Sequence, residues 1–221
     1  MENLNQWKSE VENYLSELKT QIESNEELKK LCYGFSVIDG KIHNNPEIMF
    51  IGINSGKGNR ESNLEINIET DECSYLDDYY NYPLRDQNID LLKLIGYPEN
   101  EIKEKLKDNF VKTNLFYVDT VSENDLKKFK NKDFFEKSCY FTLGLIKLLQ
   151  PKVVLFEGKS VYNNIIEDCY EKSGTWDEEN GIAHFFDEEL NVDYFGFKRS
   201  PINNLSYNQN ILAEKIKKVL L

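Results

Sequence analysis

A three-layer α/β/α sandwich around one mainly parallel sheet is the fold class that this sequence predicts. Two observations predict it. Continuous apolar runs of strand length recur at "IMFIGI", "FVKTNLFYV" and "KVVLFEG", as strands covered on both faces require. Amphipathic helical patterns separate these runs, and strands alternating with helices give crossover units and a parallel sheet. No internal repeat or linker-like composition interrupts the pattern. Residues 1–221 therefore read as one domain, with 1–45 as an N-terminal helical extension.

The elements follow in order. Leu4, Trp7, Val11, Leu15, Leu18 and Ile22 recur at three- and four-residue steps and predict a helix ending near Leu31. "IMFIGI" is the first buried strand. Ser55 to about Asn88, including the tyrosine-rich "CSYLDDYYNYPL", lacks periodicity and reads mainly as loop. Short helices are predicted around Ile89–Ile95 and Glu99–Lys107, then the strand "FVKTNLFYV". "SENDLKKFK" opens with a Ser-x-x-Asp cap signal, and Asp133–Leu149 is a long helix stopped by Pro151. "KVVLFEG" is the third buried strand and "KSVYNNIIEDCYEK" the helix after it. "IAHFFDEELNVDYFGFK" gives two strands joined by an acidic turn. The last helix carries a Ser206/Gln209 capping-box pair, an apolar face of Ile211, Leu212, Ile216 and Val219, and lysines in its final turns.

Composition narrows the function. The net charge of −12 weighs against nucleic-acid binding, so a DNA partner requires a local basic patch. The acidic, amphipathic N-terminus is unlike a secretory signal, and no run is long enough for a membrane span. A cytoplasmic protein away from membranes is the expectation. Cys32, Cys73, Cys139 and Cys169 are never paired as C-x-x-C, and reduced thiols are expected. The two histidines, His43 and His184, are too few for a histidine-rich metal centre.

In open α/β sheets ligands bind where loops leave the carboxyl ends of strands, and three such exits matter. "GINSGKGN" fails as a phosphate loop: Gly52 is one residue too close to Gly56-Lys57, and "GKS" at Gly158 has Val153 where glycine is needed. The dinucleotide fingerprint fails as well, because Glu61 stands at its third glycine. What remains is a small-residue turn projecting Asn54, which either closes an Asx-turn or orients a water or a base. In "VKTNLFYVD", Asn114 lies in an apolar strand, where it is either a structural amide or a reader of a pyrimidine edge. In "FKRSPINNLS", Arg199 is one of three arginines and is either a solvated turn residue or a stabiliser of negative charge.

Together these exits resemble the uracil-DNA glycosylase superfamily, nearest its mismatch-specific uracil and thymine branch. "IMFIGINSG" is similar to the first motif, a strand ending in Gly-Ile-Asn-Pro-Gly, with Ser55 in place of the proline. "TNLFYVD" resembles the strand carrying the base-reading asparagine, and "VVLFEGKSVYNNI" the third strand and its helix. "RSPINNLSYNQNILAEKI" stands where members carry a His-Pro-Ser-type loop, here without histidine. The likeness covers about residues 46–221. It implies a base-excision hydrolase acting as a monomer on uracil or a related damaged pyrimidine in DNA, flipped from the stack. Asn54 would place the attacking water and Arg199 would stabilise the leaving base. Asn114 would recognise that base in a pocket shaped by Gly52, Ile53, Ser55 and Ser200. One aromatic among Tyr75, Tyr79, Tyr80 and Tyr82 would stack on it, with Tyr75 carried forward. No metal or cofactor takes part. The alternative is a non-enzymatic member of the same fold that binds a nucleobase, nucleotide or protein partner.

Overall fold

The computed structural model describes residues 3–56, 61–77, 82–129, 132–172, 174–199 and 207–220. Seven strands form one sheet: β1 (Gly34–Phe35), β2 (Ile48–Gly56), β3 (Val111–Thr120), β4 (Val153–Phe156), β5 (Thr175–Asp177), β6 (Ile182–Asp187) and β7 (Val192–Phe197). Their order is β1-β3-β2-β4-β7-β6-β5. The central strands β3, β2, β4 and β7 are parallel, whereas β1 pairs antiparallel with β3 on one edge, and on the other β6 pairs antiparallel with β7 and β5 antiparallel with β6. The fold is thus α/β, but the sheet is mixed rather than mainly parallel. The β5–β6 and β6–β7 pairs need only tight connections, whereas every central parallel pair needs a crossover.

Alternation along the strands sorts their side chains into two apolar clusters. Met49 and Ile51 of β2 pack with Trp7, Val11 and Leu15 of α1 (Leu4–Glu23) and with Leu145 and Leu149 of α6 (Lys132–Leu149). Ile48 and Phe50 face the other way. They pack with Leu91 and Leu92 of α3 (Pro83–Ile95), Leu106 of α4 (Glu99–Asp108), and Leu212 and Ile216 of α8 (Gln209–Leu220). Trp7 adds a directional tie, its indole Nε1 donating to the Phe141 carbonyl at 2.9 Å.

Several boundaries differ from expectation for identifiable reasons. The N-terminal helix stops at Glu23, and α2 (Glu26–Leu31) starts anew. Asn25 Oδ1 accepts from the Glu27 and Leu28 amides at 3.0 and 3.2 Å, an N-cap that interrupts a continuing apolar stripe. α3 begins at Pro83 rather than Ile89, with proline in the first turn, where its missing N–H costs nothing. A 3₁₀ turn at Ser74–Leu76 adds order to the long segment before it. After β4, α7 (Lys159–Asn163) widens into π-helical turns over Asn164–Cys169. A short α5 (Glu123–Leu126) is capped by Ser122. The Ser206 half of the expected capping box lies outside the described residues.

The cysteine expectation is corrected. Cys139 of α6 and Cys169 at the end of the π-helical turns are joined as a disulfide, their Cα atoms 5.7 Å apart, within bonding range. Cys32 and Cys73 are free and buried. Among the described residues no helix is long and apolar enough to cross a membrane, and no three His, Cys, Asp or Glu side chains gather as metal ligands.

Candidate functional site

β4 ends at Phe156, beside Gly52, which lies midway along β2. Gly52 pairs with Asn114 of β3 on one side, and on the other the Glu157 amide donates to the Ile51 carbonyl at 2.9 Å. Lys112 and Asn114 sit two residues apart, so they share the α3 face of β3. Glu157 follows Phe156, which faces α1 and α6, and so turns to the same side as Asn114. Gly52 is the floor on which the two side chains converge. A Cβ there would lie 2.7 Å from Asn114 Oδ1 and 3.2 Å from Glu157 Oε2.

Asn114 is only 4 % exposed, and its amide has no hydrogen bond to any described residue. Other buried polar side chains nearby are engaged at least in part, Asn88 through its nitrogen alone, since its Oδ1 has no partner among the described residues. Thr113 donates to the Val37 carbonyl at 2.6 Å, and Asn88 Nδ2 donates to Glu157 Oε1 at 2.7 Å and to the Tyr75 hydroxyl at 2.8 Å. Buried amides are normally satisfied, so one inside a central strand without a hydrogen bond to a described residue marks a place for a ligand.

Around this pair lies a charged shell. Tyr75 donates its hydroxyl to Glu157 Oε1. Lys112 Nζ donates to Asp39 Oδ2 at 2.7 Å and lies 4.9 Å from the Tyr75 ring centre, a cation–π contact. Asp39 also accepts from the Ser74 amide at 2.7 Å. Burial opposes the charge on both partners. It is outweighed, so the Asp39 carboxyl is held below the usual range and the Lys112 ammonium well above it. Burial pushes Glu157 up, opposed by Lys112, the Tyr75 hydrogen bond and Arg199. Burial lifts the Cys73 thiol to about 12 and Cys32 to about 11, so neither supplies a thiolate nucleophile near neutral pH.

The expected site residues fare differently. Gly52 and Asn114 come together. Asn54 sits further along β2, opposite Phe116, and its Nδ2 donates to Thr120 Oγ1, Ser55 O and Val118 O at 2.9, 3.0 and 3.2 Å. Because two of those partners are carbonyls, nitrogen must face them, which leaves Asn54 Oδ1 as the free acceptor. Ile53 packs toward the α1/α6 cluster, and Ser55 is half-buried beside it. Tyr75 is 1 % exposed, edged by Phe50 and Tyr82 and covered by Lys112. Its ring is packed and its hydroxyl holds Glu157. Tyr82 is the half-buried aromatic next to it. Arg199 is exposed, near enough to bear on both Tyr82 and Glu157. Ser200, Tyr79 and Tyr80 lie outside the described residues.

Lys112, Asp39 and Glu157 are functional candidates that the sequence reading passed over. A lysine two residues before Asn114 in an otherwise apolar strand, and a glutamate ending "VVLF", were the available signals. Two surface cavities, of about 410 and 360 Å³, lie elsewhere along α6. Neither is lined by Asn54, Asn114 or Glu157, and convergent buried polar groups are the better guide to chemistry.

No family model matches this chain, and no curated protein matches it.

The floor can be tested directly. Gly52→Ala is expected to displace the tips of Asn114 and Glu157, costing stability only about 1–2 kcal/mol because flexible side-chain ends can yield. Binding of any ligand held by these two side chains should fall by roughly 100-fold, since small misplacement at a site is costly. Calorimetric titration and urea melts of the variant check both numbers. A variant that binds as well as the parent would remove Gly52 from the site.

Proposed function

We propose that this site grips a pyrimidine-type base and that the protein hydrolyses the bond joining that base to its sugar, in the manner of the uracil-DNA glycosylase superfamily and on its three-layer α/β/α sandwich. The observation that carries the proposal is Asn114: a buried amide with no hydrogen bond to a described residue, within a central strand and over a glycine floor. An asparagine there can donate to a ring carbonyl and accept from the adjacent ring N–H. Asn54 supports the reading because its nitrogen is fixed to β3 while Oδ1 can accept a hydrogen bond from the attacking water and orient it. Water oxygen would bond to the anomeric carbon. The carbon–nitrogen bond would break with its electron pair on the base, and the water's proton would end on that nitrogen. Arg199 is the cation available to steady the departing charge.

The test is excision from a labelled uracil oligonucleotide, single-stranded and mismatched, followed by alkali. Abasic product is expected, and Asn54→Ala should reduce its rate by roughly 100-fold. No product at high protein excess sinks the hydrolase, and full activity in Asn54→Ala sinks the role of that residue.

One observation favours a second reading, binding of a free base or nucleotide without cleavage of DNA. The segment 61–77 carries Glu61, Glu65, Glu69, Asp71, Glu72 and Asp77 and no lysine or arginine. Through Ser74 and Tyr75 it reaches the site itself. Lys8 and Lys41 pair with Glu69 and Asp71, and the segment's remaining carboxylates repel a phosphate backbone but not an uncharged base. Saturable binding of uracil with no abasic product would select this reading.

A further inference from the structure

Glu157 differs from its neighbours in how its two oxygens are used. Oε1 accepts from both the Tyr75 hydroxyl and Asn88 Nδ2. Oε2 has no hydrogen bond to a described residue and points over Gly52, where Asn114 Oδ1 also lies. No described cation is in ion-pair contact with this carboxyl, since the ammonium of Lys112 is bonded to Asp39 instead. The side chain is 4 % exposed. A buried carboxyl held only by neutral donors keeps its proton more readily than one in water. With two donors already on Oε1, that proton belongs on Oε2.

We propose that Glu157 serves this site as a neutral carboxylic acid, donating a hydrogen bond from Oε2 to a carbonyl oxygen of the bound ring beside the edge that Asn114 reads. This rests on the base-binding reading above and names its ligand class. The ring is an imide-type base, with an N–H flanked by carbonyl oxygens, and not one presenting an exocyclic amine. An amine would need the ionised form of Glu157 as acceptor. An imide offers Asn114 its N–H and one carbonyl, and offers Glu157 the other carbonyl. Glu157 thereby decides which bases enter.

The ionisable groups that bear on Glu157 are Tyr75 in the 3₁₀ turn, Tyr82 ahead of α3, Lys112 of β3, Asp39 and Cys73 in the loops, and Arg199 after β7. Burial raises its pKa. Lys112 and Arg199 oppose that rise, and Asp39 adds to it. Ligand affinity should therefore be full at acid pH and fall as pH rises through the titration of Glu157.

The experiment uses the full chain with uracil as the imide probe and cytosine as the amine probe. Affinity is measured by calorimetry from about pH 5 to pH 8, beside an infrared difference spectrum of wild type against E157Q without ligand. A protonated-carboxyl band belonging to Glu157, preference for uracil, and weakening with rising pH are expected. E157A should lose roughly 10- to 100-fold in affinity. E157Q should recover most of that loss and flatten the pH profile, because its amide oxygen suits the two donors and turns its NH₂ toward the ring. Absence of the carboxyl band overturns the inference whatever binds. Uracil binding that vanishes in N114A but ignores E157A overturns it while base recognition stands. If the band is present but neither base binds, the base-binding reading falls and the inference with it.

Discussion

Asn114→Ala is expected to abolish base binding, by roughly 100-fold or more, while leaving the protein within about 1 kcal/mol of its original stability. The two halves of that expectation come from one fact. Asn114 is buried, yet its amide makes no hydrogen bond to a described residue. Deleting a hydrogen-bonded buried amide leaves its partner stranded, typically at about 1–3 kcal/mol, whereas deleting an unpaired one strands nothing. Asn88 is the internal control. It is fully buried and bonded to both Tyr75 and Glu157, so Asn88→Ala should lower stability by about 2 kcal/mol. Urea melts of the two variants beside uracil titrations separate the cases. A loss of about 3 kcal/mol or more in Asn114→Ala would show a structural amide, and the site would lose its main support.

How much of the fold and the site is legible in the sequence depends on length and period. β2, β3 and β4 are continuous apolar runs and stand out at once. β1 and β5 have two and three residues and sit at the sheet edges, too short to show any alternation. They are also part of what makes the sheet mixed. The break at Asn25 is masked because Leu28 and Leu31 continue the apolar stripe of α1 and pack on the same cluster. The start of α3 is announced by Pro83 but overshadowed by the aperiodic tyrosines before it. Disulfide pairing across 30 residues is a tertiary property that spacing does not encode. Asn114 stands out because a polar residue inside an apolar strand must be accounted for. Lys112, on the same face, passes as a strand-edge charge, and Glu157 as a strand terminator. Their meaning comes from Asp39, Tyr75 and Asn88, which only the fold brings near.

Lys112→Met is expected to cost more stability than Gly52→Ala, Asn88→Ala or Asn114→Ala, about 3–5 kcal/mol at neutral pH. Lys112 and Asp39 have side chains only 8 % and 15 % exposed and are 2.7 Å apart, so each is the other's main compensation for leaving water. Without the ammonium, Asp39 keeps the Ser74 amide and hydroxyl as donors, at 2.7 and 2.5 Å, but has no counter-charge. Adding Asp39→Asn should recover part of the loss, because the uncompensated charge and not the missing pair is what costs most. The pH dependence has a definite sign. The folded pKa of Asp39 is depressed below its ordinary 3.8, so the stability it contributes is present above that value and is lost as pH falls through the folded pKa. The gap between wild type and Lys112→Met should therefore narrow in acid. Denaturant melts at neutral pH and below pH 3.8 read this directly. A gap under about 1 kcal/mol at neutral pH would place the pair among weak solvated bridges. The consequence reaches the site by a short path: Asp39 holds Ser74, and the adjacent Tyr75 holds Glu157. Lys112 also lowers the Glu157 pKa, so its removal should drive that carboxyl further toward the protonated form while loosening the turn that aims it. Weaker base binding together with a pH profile shifted upward is the combined signature, and a folding defect alone would produce only the first.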